Sequence, residues 1–356
     1  MKTQFNTYKE CPDWWDEEVK KHGGLFTSAS LWGQFHKDYL YASITYIEVQ
    51  ESGKRIMLLL AYDFVIGAQL LPRWIVFILS PFSFLRSYNM HLQPVIIDKS
   101  YLKDEKKLYL LTKKLLHFLI TIIQKEKKGF IASDLICFKD VKYAKLLHKS
   151  FPSFSKVIGT SRLSLDSSIE DLYKSMNESV KSGVRKCEKL NVKVKLLTPL
   201  KINDFYSGLK KGWNGQHIAV NSMGYYKEII RKYPDNIKYF VAYKGRKVLA
   251  GSGIMVFGKT ILEFSMFITP EARLMKIPAG DIVKWEIIKF GIQNGYKFLD
   301  FNMIAVAENK ELDNKIKNIN FYKLKWGGSL IYGISFQKLS LITLVLRKIK
   351  LLILGH

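Results

Sequence analysis

Cysteine is scarce in this chain of 356 residues. Cys11, Cys137 and Cys187 are far apart and odd in number, which argues against a disulfide framework and fits a reducing compartment. No CxxC or HExxH occurs and the seven histidines are scattered singly, so no zinc site is expected and each histidine reads as structural. Long apolar runs are also missing. Trp74–Leu85 (interrupted by Pro81), Leu115–Ile123 and Leu339–Leu346 are each too short to cross a bilayer as a helix. The opening residues, MKTQFNTYKECPDWWDEE, contain no apolar signal core, so a cytoplasmic location is expected. Acidic residues are few, 31 against 56 lysines and arginines, a formal net charge of +25. That excess points to an anionic partner: nucleic acid, an acidic membrane surface or a phosphorylated substrate. A generically basic surface is the plain alternative, and charge does not choose among them.

What is present is enough apolar material for two packed cores, 48% hydrophobic and 13% aromatic residues in a chain long for one domain. An internal repeat divides it. The helical stretch Lys103–Lys128 leads into Gly129-Phe130-Ile131-Ala132-Ser133-Asp134-Leu135, and Asp281–Asn294 leads into Gly295-Tyr296-Lys297-Phe298-Leu299-Asp300-Phe301. Both read glycine, aromatic, three residues, Asp, apolar; the glycine ends a helix and a buried strand follows. Upstream of each lies a hairpin signal. Ile44–Val49 and Ile56–Ala61 flank a turn at Ser52-Gly53, and Ile237–Tyr243 and Val248–Val256 flank one at Gly245. Each half thus reads as hairpin, further strand, helix, strand and closing segment. The fold class is α/β, of the α+β kind, with one domain over 1–160 and a second over 161–335.

Between the halves, Ile169, Leu172, Tyr173, Met176, Val180, Val184 and Leu190 predict a helix over Ser167–Asn191, capped by Asp166 or Ser167. Residues 336–356 form a basic apolar tail with Lys338, Arg347, Lys348, Lys350 and no acids. It suits either an anionic membrane interface or packing as a final helix.

Four stretches together resemble the FemAB-type acyltransferases. They are the basic helix Ser179–Lys189, the Ile277-Pro278-Ala279-Gly280 turn before a helix containing Trp285, the Gly295–Asn302 strand ending Asp-Phe-Asn, and Phe321-Tyr322-Lys323-Leu324-Lys325-Trp326-Gly327-Gly328. The last is similar to the family's FK-x-x-W/F-GG signature, with Tyr322 placed between phenylalanine and lysine. The N-terminal Leu25–Trp32 is like the family's opening. The resemblance implies two tandem GNAT-like domains and transfer of an acyl or aminoacyl group to the amine of a cell-envelope precursor, in peptidoglycan or polysaccharide. It implies aminoacyl-tRNA or acyl-CoA as co-substrate and no bound cofactor. The long coiled-coil arm of some relatives has no counterpart here.

Acyl transfer to an amine develops negative charge on the carbonyl oxygen and positive charge on nitrogen. Lys323 matches the family lysine and supplies a cation for an oxyanion or a phosphate. Asp300 stands at the end of a buried strand, where it would orient the amine or take its proton. Arg185 would grip a phosphate, and Lys276, Asn302, Lys325 and Trp326 complete the expected binding set. The plain alternative makes Lys323 and Lys325 solvent-facing strand lysines. A GNAT pyrophosphate turn needs glycines at a helix N-terminus. Here Arg273–Gly280 carries Lys276 and Pro278 at those places, which favours a tRNA-borne donor or a non-standard acyl carrier. The competing class is a non-enzymatic basic module on RNA or membrane, with lysine-aromatic clusters such as Tyr225-Tyr226-Lys227 stacking on bases. A group formed by Lys323, Asp300 and Arg185 would favour the enzyme. Oligomeric state is left open.

Overall fold

The computed structural model describes residues 3–65, 68, 71, 73–82, 85–90, 93–125, 130–153, 155–214, 220–306 and 314–339. It falls into two compact units, one built mainly from residues up to 159 and the other mainly from residues 160–304.

The first unit contains β1 (Thr3–Tyr8), α1 (Trp15–Lys21), α2 (Ser30–Leu40), β2 (Ser43–Glu51), β3 (Lys54–Val65), α3 (Arg73–Leu79), β4 (Arg86–Met90), β5 (Val95–Ile96), α4 (Lys99–Lys103), α5 (Glu105–Lys125), β6 (Phe130–Phe138) and α6 (Val141–Ser150). The β2–β3 hairpin turns on Ser52 and Gly53, both at positive φ, the backbone that matches strand twist in a two-residue turn. Strands β2, β3 and β4 are antiparallel neighbours. Helix α5 then crosses over, and β6 returns parallel to β4. Leu108, Leu111, Leu115 and Leu119 recur at helical spacing along α5 and are buried with Ile47, Val49 and Leu135 in one core.

Strand β7 (Ser155–Ser164) starts in this unit and ends in the second. There follow α7 (Ile169–Ser175), α8 (Glu178–Lys189), β8 (Lys193–Leu196), α9 (Ile202–Asn214), α10 (Met223–Lys232), β9 (Ile237–Lys244), β10 (Lys247–Phe257), β11 (Thr260–Ile268), α11 (Pro270–Leu274), α12 (Ala279–Gln293), β12 (Phe298–Ala305) and α13 (Asn314–Leu324). The plan repeats: β9, β10 and β11 are antiparallel, α12 crosses over, and β12 returns parallel to β11. Gly295, at φ +68°, ends α12 as the sequence predicts. The corresponding Gly129 lies outside the described residues.

The helix expected over Ser167–Asn191 is in fact two. Met176 is extended, and the Asn177 side chain accepts from the Ser179 amide to start α8 afresh. The apolar period runs on through the break, so periodicity alone does not reveal it.

The final strand, β13 (Ser329–Leu339), leaves the second unit after Leu330. It pairs antiparallel with β6, Ile334 opposite Leu135, and buries Phe336 completely in the first unit's core. A Cβ on Gly333 would collide with the Leu135 carbonyl oxygen, so this crossing requires glycine. In exchange, β7 lies beside β12. The tail expected over 336–356 therefore begins as strand as far as Leu339; the rest of it lies outside the described residues.

Candidate functional site

The chemistry-bearing residues of the second unit gather where β11, β12, α12 and α13 meet. Strand β11 is apolar apart from few positions, and its Glu263 points inward, 4% exposed. Lys284, on the all-round buried helix α12, meets it with Nζ 2.6 Å from Oε2. The Ser252 hydroxyl donates to Oε1 at 3.0 Å. The Lys284 ammonium also lies 4.3 Å from the Phe301 ring centroid and 5.0 Å from that of Tyr322. Burial pulls the Lys284 pKa down, and the Glu263 carboxylate pulls it back up.

A second buried pair lies one turn earlier on α12. Lys325 Nζ donates to Asp281 Oδ1 at 2.7 Å, with both side chains less than a tenth exposed. Burial raises the Asp281 pKa, and Lys325 opposes that. Asp281 also abuts α8, where a Cβ on Gly183 would run into its Oδ2. Tyr322 is trapped between the two pairs. Its hydroxyl is buried without a hydrogen-bond partner, and burial raises its pKa well above the ordinary value.

Lys323 differs from its neighbours. It is half-buried in the last turn of α13, and its Nζ donates to the Met303 carbonyl oxygen at 2.7 Å. Among the described residues it has no carboxylate partner. Burial is the main cause that lowers its pKa to about 8; Glu263 and Asp300 pull it up and Lys284 pushes it down. Lys323 thus keeps an unpaired charge beside a network whose other cations are neutralised. It lies in a helix and Lys325 in the turn after it, since the strand starts only at Ser329; this corrects the strand placement.

Asp300 lies within β12 rather than at its end and is 1% exposed. Its Oδ1 accepts from the Thr160 hydroxyl at 2.5 Å and from the Asn302 amide at 2.9 Å, and Arg162 Nε stands 3.5 Å from Oδ2. Asn302 sits at φ +63°, a left-handed conformation asparagine tolerates, and its side-chain Nδ2 donates to the Glu263 backbone carbonyl at 3.2 Å. The Asp300 and Glu263 groups are therefore tied through one residue.

Of the expected set, the structure brings together Lys323, Asp300, Asn302 and Lys325. Trp326 is core, 1% exposed. Arg185 is ion-paired with Glu178 on an exposed face of α8, and Lys276 is exposed in the left-handed turn before α12. Neither joins the group. Sequence reasoning missed Glu263, Lys284, Asp281, Tyr322, Thr160 and Arg162. The available signal for the first two was a lone charge inside an apolar strand, Thr260–Ile268, and a lone lysine in an apolar helix turn, Ile282-Val283-Lys284-Trp285.

The sequence model of the FemAB family matches residues 145–249. Among curated proteins no sequence matches the chain. Among solved structures, FemX superposes with a TM-score of 0.61 at 13% identity, covering 96% of this chain and 99% of that one. The C-terminal domain of a putative lysylphosphatidylglycerol synthetase from Agrobacterium fabrum is similar at a TM-score of 0.48, 12% identity and 94% and 95% coverage. A tandem GNAT protein from the clavulanic acid biosynthesis pathway is similar at 0.47, 8% identity and 95% and 98% coverage. The fold is thus that of FemX, with one strand–helix plan repeated in the two units. The family match covers under a third of the chain, within residues 145–249. Among the described residues no helix is long and apolar enough to cross a membrane, and no cluster of side chains could hold a metal ion.

Proposed function

We propose that the second unit transfers an aminoacyl or acyl group to an amine of a cell-envelope precursor, with Lys323 at the reacting centre. The observation that carries this is the unpaired Lys323 ammonium, half-buried at the signature turn and backed by the Glu263–Lys284 and Asp281–Lys325 pairs. The amine nitrogen attacks the carbonyl carbon of the donor ester, charge moves onto the carbonyl oxygen, the bond to the carrier breaks, and the amine gives up its proton. A fixed cation whose charge is not spent on a carboxylate is suited to that oxygen, or to a phosphate of the acceptor. Asp300, with Oδ1 already accepting two hydrogen bonds, acts as a positioning residue that fixes β12 and the field at Lys323.

The donor reading favours aminoacyl-tRNA over acyl-CoA. Phosphates are held at helix N-termini by free amides and the helix dipole. At α12 that end carries the Asp281 carboxylate, and the Asp281 amide already bonds the Pro278 carbonyl at 2.8 Å. A pyrophosphate there would find the first turn occupied by the buried Asp281–Lys325 pair and one of its amides already committed. The FemAB likeness supports an envelope precursor as acceptor.

The test is Lys323→Met, which keeps an apolar stem and removes the charge, assayed with candidate aminoacyl-tRNAs and lipid-linked or nucleotide-linked muropeptides. A kcat lower by about 10²–10³-fold is expected for a lost oxyanion partner. A raised KM with unchanged kcat would assign Lys323 to ground-state binding. Unchanged kcat and KM would refute the placement of the site.

A further inference from the structure

In the first unit, α3 exposes an apolar face to water. Trp74 is 65% exposed, Phe77 61% and Ile78 57%, and these three share a helix face at spacings of three and four. Phe82, in the turn that follows, is 46% exposed, while Val76 is 1% exposed and anchors the helix. The helix is held in place: Arg73 Nη2 donates to the Asp38 carbonyl at 2.9 Å, its guanidinium lies 5.4 Å over Tyr39, and Phe77 packs edge-on against Tyr41 with centroids 5.5 Å apart. Lys37 is exposed on the same last turn of α2. Contiguous large apolar side chains on a surface mark a docking site.

We propose that this face docks the protein onto an anionic lipid surface, with Trp74, Phe77, Ile78 and Phe82 entering the headgroup boundary. Charge selects the occupant. No aspartate or glutamate occurs from residue 64 to 97, while the chain as a whole carries +25. Tryptophan and phenylalanine beside arginine and lysine suit the amphipathic layer between acyl chains and headgroups, and anionic lipid supplies the opposite charge. The helix, seven residues long, lies in the interface and does not span it. The inference is independent of the acyl-transfer reading, because binding is measured without turnover.

The experiment is flotation of the full-length chain with phosphatidylcholine vesicles, with and without phosphatidylglycerol, comparing wild type with Trp74→Ser/Phe77→Ser and with a chain ending at residue 339. Wild type is expected to float with the anionic vesicles. The double variant should partition about 10- to 100-fold less, since burial of one such side chain is worth about tenfold or more, in the presence or absence of the tail. Because both side chains are mostly exposed, its circular dichroism should match wild type, with Tm lowered only by loss of the Phe77–Tyr41 contact. Should the double variant misfold, the fluorescence difference between wild type and Trp74→Phe isolates the Trp74 signal, which nitroxide-labelled lipid should quench. Equal flotation of variant and wild type, or no quenching of Trp74, overturns the proposal. So does a wild type that ignores vesicles yet self-associates through a contact abolished by Trp74→Ser/Phe77→Ser; the face would then be a protein interface.

Discussion

Replacing Lys284 with methionine removes one charge from a sealed pair beside Phe301 and Tyr322 and keeps an apolar stem of similar length. At 2.6 Å and an effective dielectric constant of about 20, the attraction lost is about 6 kcal/mol, and the recovered desolvation of the ammonium offsets part of it. Glu263 is left with the Ser252 hydroxyl and must remain charged in an apolar setting or take up a proton. Proton uptake limits the loss. Removing one partner of a buried pair costs about 3–5 kcal/mol, and that is the expected loss of stability at pH 8. A buried carboxylate stripped of its cation is relieved by taking up a proton, so the deficit shrinks as pH falls towards 5. Glu263→Gln added to Lys284→Met removes the stranded charge and should restore most of the loss. Urea denaturation at pH 5.5 and pH 8, followed by circular dichroism, measures all three proteins. A single variant destabilised by less than about 1 kcal/mol at pH 8, or a double variant no better than the single, would refute the reasoning.

Three further outcomes follow from the same geometry. The lowered Lys323 pKa places loss of its charge near pH 8, so kcat should decline as pH rises through that value, and Lys323→Met should abolish this limb of the pH profile. Asp300→Asn removes an anion that raises the Lys323 pKa; the same limb should move to lower pH, whereas a general-base role for Asp300 would instead change the acidic limb. Gly183→Ala forces a methyl group against Asp281, and thermal melting should show a loss of about 1–3 kcal/mol as α8 and α12 separate.

The repeated plan was legible because its signals are local: Ser52-Gly53 and Gly245 mark hairpins, and Gly295 stops a helix whose apolar residues cover every face. The break at Asn177 was not, because the apolar period continues across it and only the cap interrupts the helix. Lys323 and Asp300 were singled out through motif and repeat, and both lie in the second unit near the Glu263–Lys284 pair. The Glu263–Lys284 pair joins a strand to a helix, and each partner alone reads as an isolated charge. Asp281 opens the predicted helical stretch Asp281–Asn294, a place where any acid suits the helix dipole, and only its burial beside Lys325 shows what it holds.

The exchange of β7 and β13 has a consequence for how the chain is made. Strand β6 is complete at Phe138, yet its antiparallel partner β13 begins at Ser329, more than half the chain later. On a ribosome the first unit therefore emerges with one sheet edge open and the seat for Phe336 empty, and it must wait for the C-terminus to close it. The two copies are sequential in the gene but cannot mature sequentially. The two repeats are thus one folding event, in which a late frameshift in the second would damage the core of the first.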